Sequence, residues 1–103
     1  MAVIRVNETN FESEVLLSPV PVLVDFNATW CGPCRMLKPV LEQVAEERPD
    51  VKVVSVDVDE APELAEEYGV SSIPCLVLVD NGREADRSVG FLPKDGVLAL
   101  IGG

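Results

Sequence analysis

Histidine is absent from the 103-residue chain, tryptophan and tyrosine occur once each, and eight lysines and arginines stand against 18 aspartates and glutamates. The missing bases exclude one class of partner. Nucleic acids and anionic membranes need a basic footprint, and a net charge of −10 repels both. The same charge favours partners with a basic patch, or serves only solubility. Zinc takes about four nitrogen or sulfur ligands, which a chain with no histidine and three cysteines does not supply. An odd cysteine count also argues against a secreted disulfide framework. No run approaches the ~20 apolar residues of a membrane span. The opening Met1–Asn7 lacks a basic stretch followed by a long apolar one, so a cytoplasmic protein is expected. Repeats, linkers and low-complexity tracts are missing, and the length suits a single domain over residues 1–103.

What is present is a core-forming composition, 48% hydrophobic, arranged in short alternating segments. Ala2–Val6 reads as an edge strand. Asn10–Leu17 carries Phe11 and Val15 at helical spacing, with Asn7 or Asn10 as cap, and Ser18-Pro19 ends it. Val20–Phe26 is nearly continuous apolar sequence, which suits a central strand covered on both faces. Pro33–Glu47 is a helix, with Leu37, Leu41, Val44, Met36 and Val40 on its apolar face. Pro33 suits the first turn, and Pro39 should kink the helix. Val51–Val58 is a strand, Ala61–Tyr68 a helix stopped by Gly69, and Cys75–Val79 a strand. Asn81-Gly82 is a hairpin signal that returns Glu84–Val89 antiparallel. Lys94–Ile101 closes as a helix. The order βαβαβαββα implies an α/β fold with helices on both faces of a mixed, mostly parallel sheet.

Chemistry concentrates at Trp30-Cys31-Gly32-Pro33-Cys34, between the central strand and the longest helix. A helix N-terminus offers free N–H groups and about half a positive charge. A cysteine there is driven toward thiolate, the form that attacks disulfides. Two intervening residues put both sulfurs on the first turn, where they meet or separate without refolding. Cys31 should be the exposed nucleophile and Cys34 the more buried partner. An isolated CxxC could also be half of a metal site, or a buried inert pair. Asp25 is conspicuous, because an ionised carboxylate in an apolar central strand is costly unless paired or proton-active. Burial would raise its pKa, as a proton shuttle requires.

Val22-Leu23-Val24-Asp25-Phe26, Ala28-Thr29-Trp30-Cys31-Gly32-Pro33-Cys34, Pro39, Ile73-Pro74 and Gly90 together resemble the thioredoxin family, and the likeness runs from about Val3 to Ile101. The resemblance implies a five-stranded sheet flanked by four helices and a protein-disulfide reductase with no bound cofactor. Its implied partners are disulfide-containing protein substrates and an NADPH-dependent thioredoxin reductase; nothing in the sequence suggests more than a monomer. It implies that Cys31 attacks the substrate disulfide, that Cys34 resolves the mixed disulfide, and that Asp25 takes the proton of Cys34. Pro74 would follow a cis bond, and Trp30, Gly32, Pro33, Ile73, Pro74 and Gly90 would line the substrate groove. Gly32-Pro33 goes with the reducing members, against an oxidant or isomerase of the same fold. A scaffold role without catalysis would not need the complete CxxC.

Three residues depart from the family pattern. Cys75 stands where threonine or another small residue usually follows the proline. It is either a small buried hydrophobe or a third thiol near the pair. Asn27 replaces the usual aromatic, which predicts looser packing. Ser55 replaces a lysine common near the buried carboxylate, which predicts that Asp25 titrates higher.

Overall fold

The computed structural model describes residues 2–102. Five strands form one sheet: β1 (Ile4–Arg5), β2 (Val22–Asn27), β3 (Lys52–Asp57), β4 (Cys75–Asp80) and β5 (Arg83–Val89), in the spatial order β1-β3-β2-β4-β5. Three α-helices, α1 (Gly32–Glu47), α2 (Pro62–Glu67) and α3 (Lys94–Leu100), and one π-helical turn over Glu12–Leu16 cover it. The apolar β2 is central, as its composition predicts, and it pairs with β3 in parallel and with β4 antiparallel. Only β4 opposes the other strands, so the sheet is mostly parallel by strand direction.

The reversal at β4 follows from helix length. At about 1.5 Å per residue, the 16 residues of α1 carry the chain about 24 Å, back to the starting edge of the sheet. The six residues of α2 span only about 9 Å, less than half of a six-residue strand of ~20 Å. The chain therefore stays near the end where β3 stopped and enters β4 from there. The turn between β4 and β5 places Asn81 at φ 53° and Gly82 at φ 77°, the left-handed pair that a two-residue hairpin needs.

The strand alternation of period two divides the interior. Val22, Val24 and Phe26 join Val54, Val56, Val77, Phe11, Val15 and Leu64 under the π turn and α2. Leu23, Val53 and Leu76 join Leu37, Leu41, Val44 and Val97 under α1 and α3. Phe26 and Phe11 both pack on Tyr68, with ring centroids 5.7 and 5.6 Å away.

Two local expectations are corrected. The first helix is a single π turn, in which Leu17 N–H reaches back five residues to the Glu12 carbonyl at 2.9 Å. Neither asparagine caps it: the Asn10 side chain accepts from Asn7 N–H instead, at 2.8 Å. In α1, Met36 lies off the buried stripe and is 62% exposed. The helix continues through Pro39, whose missing N–H leaves the Arg35 carbonyl without its helical donor.

Candidate active site

The site lies where β2 ends and α1 begins. Cys31 is the N-cap of α1 in extended conformation, and its Sγ accepts the Cys34 N–H at 3.2 Å. Gly32 and Pro33 form the first turn. Pro33 loses nothing there, because N–H groups of a first turn have no helical acceptor. Cys31 and Cys34 are joined as a disulfide, with Cα atoms 5.2 Å apart. Cys31 is 5% exposed and Cys34 4%, so the expected contrast in exposure is absent from the oxidised pair. The disulfide folds the Cys31 sulfur over the helix start, against Cys34 and 4.0 Å from the Ile73 carbonyl oxygen. The two cysteines pack with Ala28, Val58 and Ile73.

The remaining sequence-derived residues gather around this pair or beneath it. The Ile73–Pro74 bond is cis, as expected. The Pro74 carbonyl accepts from Gly90 N–H at 2.7 Å, which joins the start of β4 to the residue after β5. Gly90 has φ 99°, a conformation suited to glycine. Trp30 is 65% exposed and its indole N–H donates to Asp59 at 2.8 Å. Met36, Val89 and Phe91 are also exposed apolar side chains at this end. Cys75 is apart from them. It is 1% exposed within the cluster of Phe26 and Val77, and burial pushes its thiol up.

Asp25 is buried (4% exposed) on the opposite face of β2 from Phe26. It shares with Cys34 the wall of a cavity of about 850 Å³ between α1, β1 and the ends of β2 and β3. Oδ2 accepts from the Asn27 side-chain amide at 3.1 Å, while Oδ1 is buried without a partner. Burial raises the carboxyl pKa to about 6, opposed by the Asn27 hydrogen bond. The expected upward shift is therefore present.

Asn27 and Ser55, which stand in the sequence as two separate departures, meet in the fold, a contact that sequence reasoning misses: the Asn27 amide nitrogen lies 2.8 Å from Ser55 Oγ. The signal was available. Asn27 is two residues after Asp25 on the same strand, and hence on its face. Among the described residues no group of three or more histidine, cysteine or acidic side chains is placed to hold a metal ion. No helix among them is long and apolar enough to cross a membrane.

A CxxC disulfide at a helix N-terminus, above a buried carboxyl on a mixed sheet, is the arrangement of a thiol–disulfide oxidoreductase. A sequence model described as Thioredoxin matches residues 2–102. The chain is 49% identical over 96 residues to "Thioredoxin" of Chlamydia trachomatis serovar D, covering 93% of this chain and 92% of the relative. It is 50% identical over 90 residues to "Thioredoxin 1" of Synechococcus elongatus (86% and 84% covered) and 45% over 102 residues to "Thioredoxin" of Pyropia yezoensis (98% and 95%). The chain belongs to the thioredoxin family. It is a disulfide oxidoreductase that reduces protein disulfides by dithiol–disulfide exchange through Cys31 and Cys34. The family acts on disulfide-bonded proteins and is itself reduced by thioredoxin reductase.

Proposed function

We propose that the residues around the pair divide the exchange as follows. The Cys31 thiolate attacks one sulfur of the substrate disulfide; that bond breaks, one substrate thiolate leaves, and a Cys31–substrate disulfide forms. The Cys34 thiol gives its proton to Asp25 and attacks Cys31 Sγ. The mixed disulfide breaks, the second substrate thiolate leaves, and Cys31–Cys34 closes. Two electrons pass from the dithiol to the substrate.

The observation that carries this order is an asymmetry between the sulfurs. Cys31 Sγ receives the first-turn N–H of Cys34, which favours its thiolate. Cys34, not Cys31, lines the cavity that holds Asp25. Trp30, Gly32, Pro33, Ile73, Pro74 and Gly90 form the substrate groove in this reading, supported by the exposed Trp30 and by the Gly90–Pro74 hydrogen bond. Cys75 is read as a core residue, since its sulfur belongs to the buried cluster on the far face of the sheet. The chain acts as one domain, a cytoplasmic monomer recharged by an NADPH-dependent reductase. Family membership and the reducing-type Gly32-Pro33 turn support this.

The test is trapping. Cys34→Ser, mixed with a disulfide-bonded protein, should accumulate a mixed disulfide that mass spectrometry maps to Cys31. Cys31→Ser should reduce nothing above buffer background. Adducts at Cys75 in Cys34→Ser, or at Cys34 in Cys31→Ser, would overturn the order. Asp25→Asn should slow resolution about 100-fold near neutral pH, and an unchanged pH–rate profile would remove Asp25 from the mechanism.

A further inference from the structure

The two polar departures, Asn27 and Ser55, are 28 residues apart in sequence and hydrogen-bonded in space. Parallel pairing of β2 with β3 sets Asp25 opposite Ser55 and Asn27 opposite Asp57, all on the α1 face. The Asn27 amide nitrogen lies 3.1 Å from the Asp25 main-chain oxygen, 3.1 Å from Asp25 Oδ2 and 2.8 Å from Ser55 Oγ. A main-chain carbonyl only accepts, so the donor end of the amide is the end that faces this cluster. Asn27 offers Asp25 hydrogens and no lone pair.

We propose that Asn27, braced by Ser55, is a positioning residue for the Asp25 carboxylate: it holds Oδ2 as an acceptor and leaves Oδ1, buried without a hydrogen-bond partner, as the atom that takes the proton. The proposal rests on the Asp25 role proposed above and gives that role an atom. A carboxyl with one oxygen pinned cannot rotate to offer the proton elsewhere, and a donor on the carboxylate favours its ionised, proton-accepting form.

The other charges around the cavity leave Asn27 as the partner that matters. From α1 come Arg35, Lys38, Glu42 and Glu46, from β1 Arg5, and from β3 Asp57. Three are positive and three negative, and all but the half-buried Asp57 are exposed, so their fields largely cancel and are screened. From β4 the residue opposite Asp25 is Leu76, and the titratable Cys75 points to the far face. Among the described residues, Asn27 is the only side chain that hydrogen-bonds the Asp25 carboxyl.

The experiment follows two readouts in wild type, Asn27→Leu and Asn27→Ala. One is the Asp25 carboxyl titration by carbon-13 NMR. The other is the pH dependence of resolution, timed from a Cys31 mixed disulfide with a chromophoric thiol. Leu fills the space and Ala opens it, but both delete the donor. Both variants should therefore move the Asp25 midpoint upward, by about one pH unit, and carry the midpoint of resolution with it. In an Asp25→Asn background, Asn27→Leu should change the rate less than about twofold. An unmoved or lowered midpoint in Asn27→Ala would overturn the inference, because solvation alone would then govern Asp25. Should Asn27→Leu fail to fold, Asn27→Ala alone decides. If Asp25→Asn itself leaves resolution unchanged, the Asp25 role fails, an outcome distinct from failure of the Asn27 role.

Discussion

On one face of β2, Val22, Val24 and Phe26 are fully buried in a cluster of apolar side chains. On the other face Leu23 is equally buried, but the next residue inward is Asp25, half-partnered beside a cavity. Neighbours along a single strand thus meet opposite environments. The first face is built for stability. The second gives up packing where β2 reaches the cysteines, and places a carboxyl there that would rather hold its proton. Substitutions of Phe26 and of Asp25 should therefore differ in sign, and those of their neighbours across the sheet in size.

The largest effect is expected on the apolar face. Phe26→Ala deletes a fully buried ring that packs on Tyr68. It should lower unfolding free energy by about 3–5 kcal/mol, read by denaturant titration. A loss below about 1 kcal/mol would mean that this face is not the tightly packed one.

Next comes Asp25→Asn, with the opposite sign. Burial raises the carboxyl pKa from its ordinary 3.8 to about 6 in the folded chain, so the folded state binds the proton more tightly. The stability that this proton contributes is fully present below about pH 3.8 and lost as pH rises through about 6. Two pH units correspond to about 3 kcal/mol. Asp25→Asn should therefore stabilise the protein by up to about 3 kcal/mol at pH 8, with the gain fading toward pH 4. A gain independent of pH would show that the ionised carboxylate is not its source.

Which of these features was legible in sequence depended on whether the signal was local. The unbroken apolar run of β2 marks a central strand, Pro33 marks a helix start, and Asn81-Gly82 marks a hairpin; each acts on its own neighbours. The π turn over Glu12–Leu16 was not legible, because its five-residue hydrogen bond uses the same apolar spacing as an ordinary helix over one turn. Met36 was misplaced because it borders the apolar stripe, and only tertiary packing decides which border residue is covered. In the site, the cysteine pair and Asp25 stood out by chemistry. The Asn27–Ser55 contact did not, since it depends on the register of two strands separated by all of α1.

The smallest and sharpest contrast uses a single hydroxyl on each side of β3. Val54 is fully buried on the apolar face, and Ser55 is its half-buried neighbour on the polar one. Val54→Thr keeps the volume but puts a hydroxyl among Val24, Phe26 and Val56, where no partner exists; it should cost about 2 kcal/mol. Ser55→Ala removes a hydroxyl that accepts from Asn27 at 2.8 Å, beside a cavity from which water can replace it. It should cost only about 0.5–1 kcal/mol. Because the positions are adjacent, local differences in strand stability cancel when the two losses are compared by denaturant titration at one pH. Equal losses would mean that the cavity side is as dry as the core. The expected inequality identifies the α1 end of β2 as the place where this fold tolerates polar atoms, and it is there that the chain carries its buried carboxyl, Asp25.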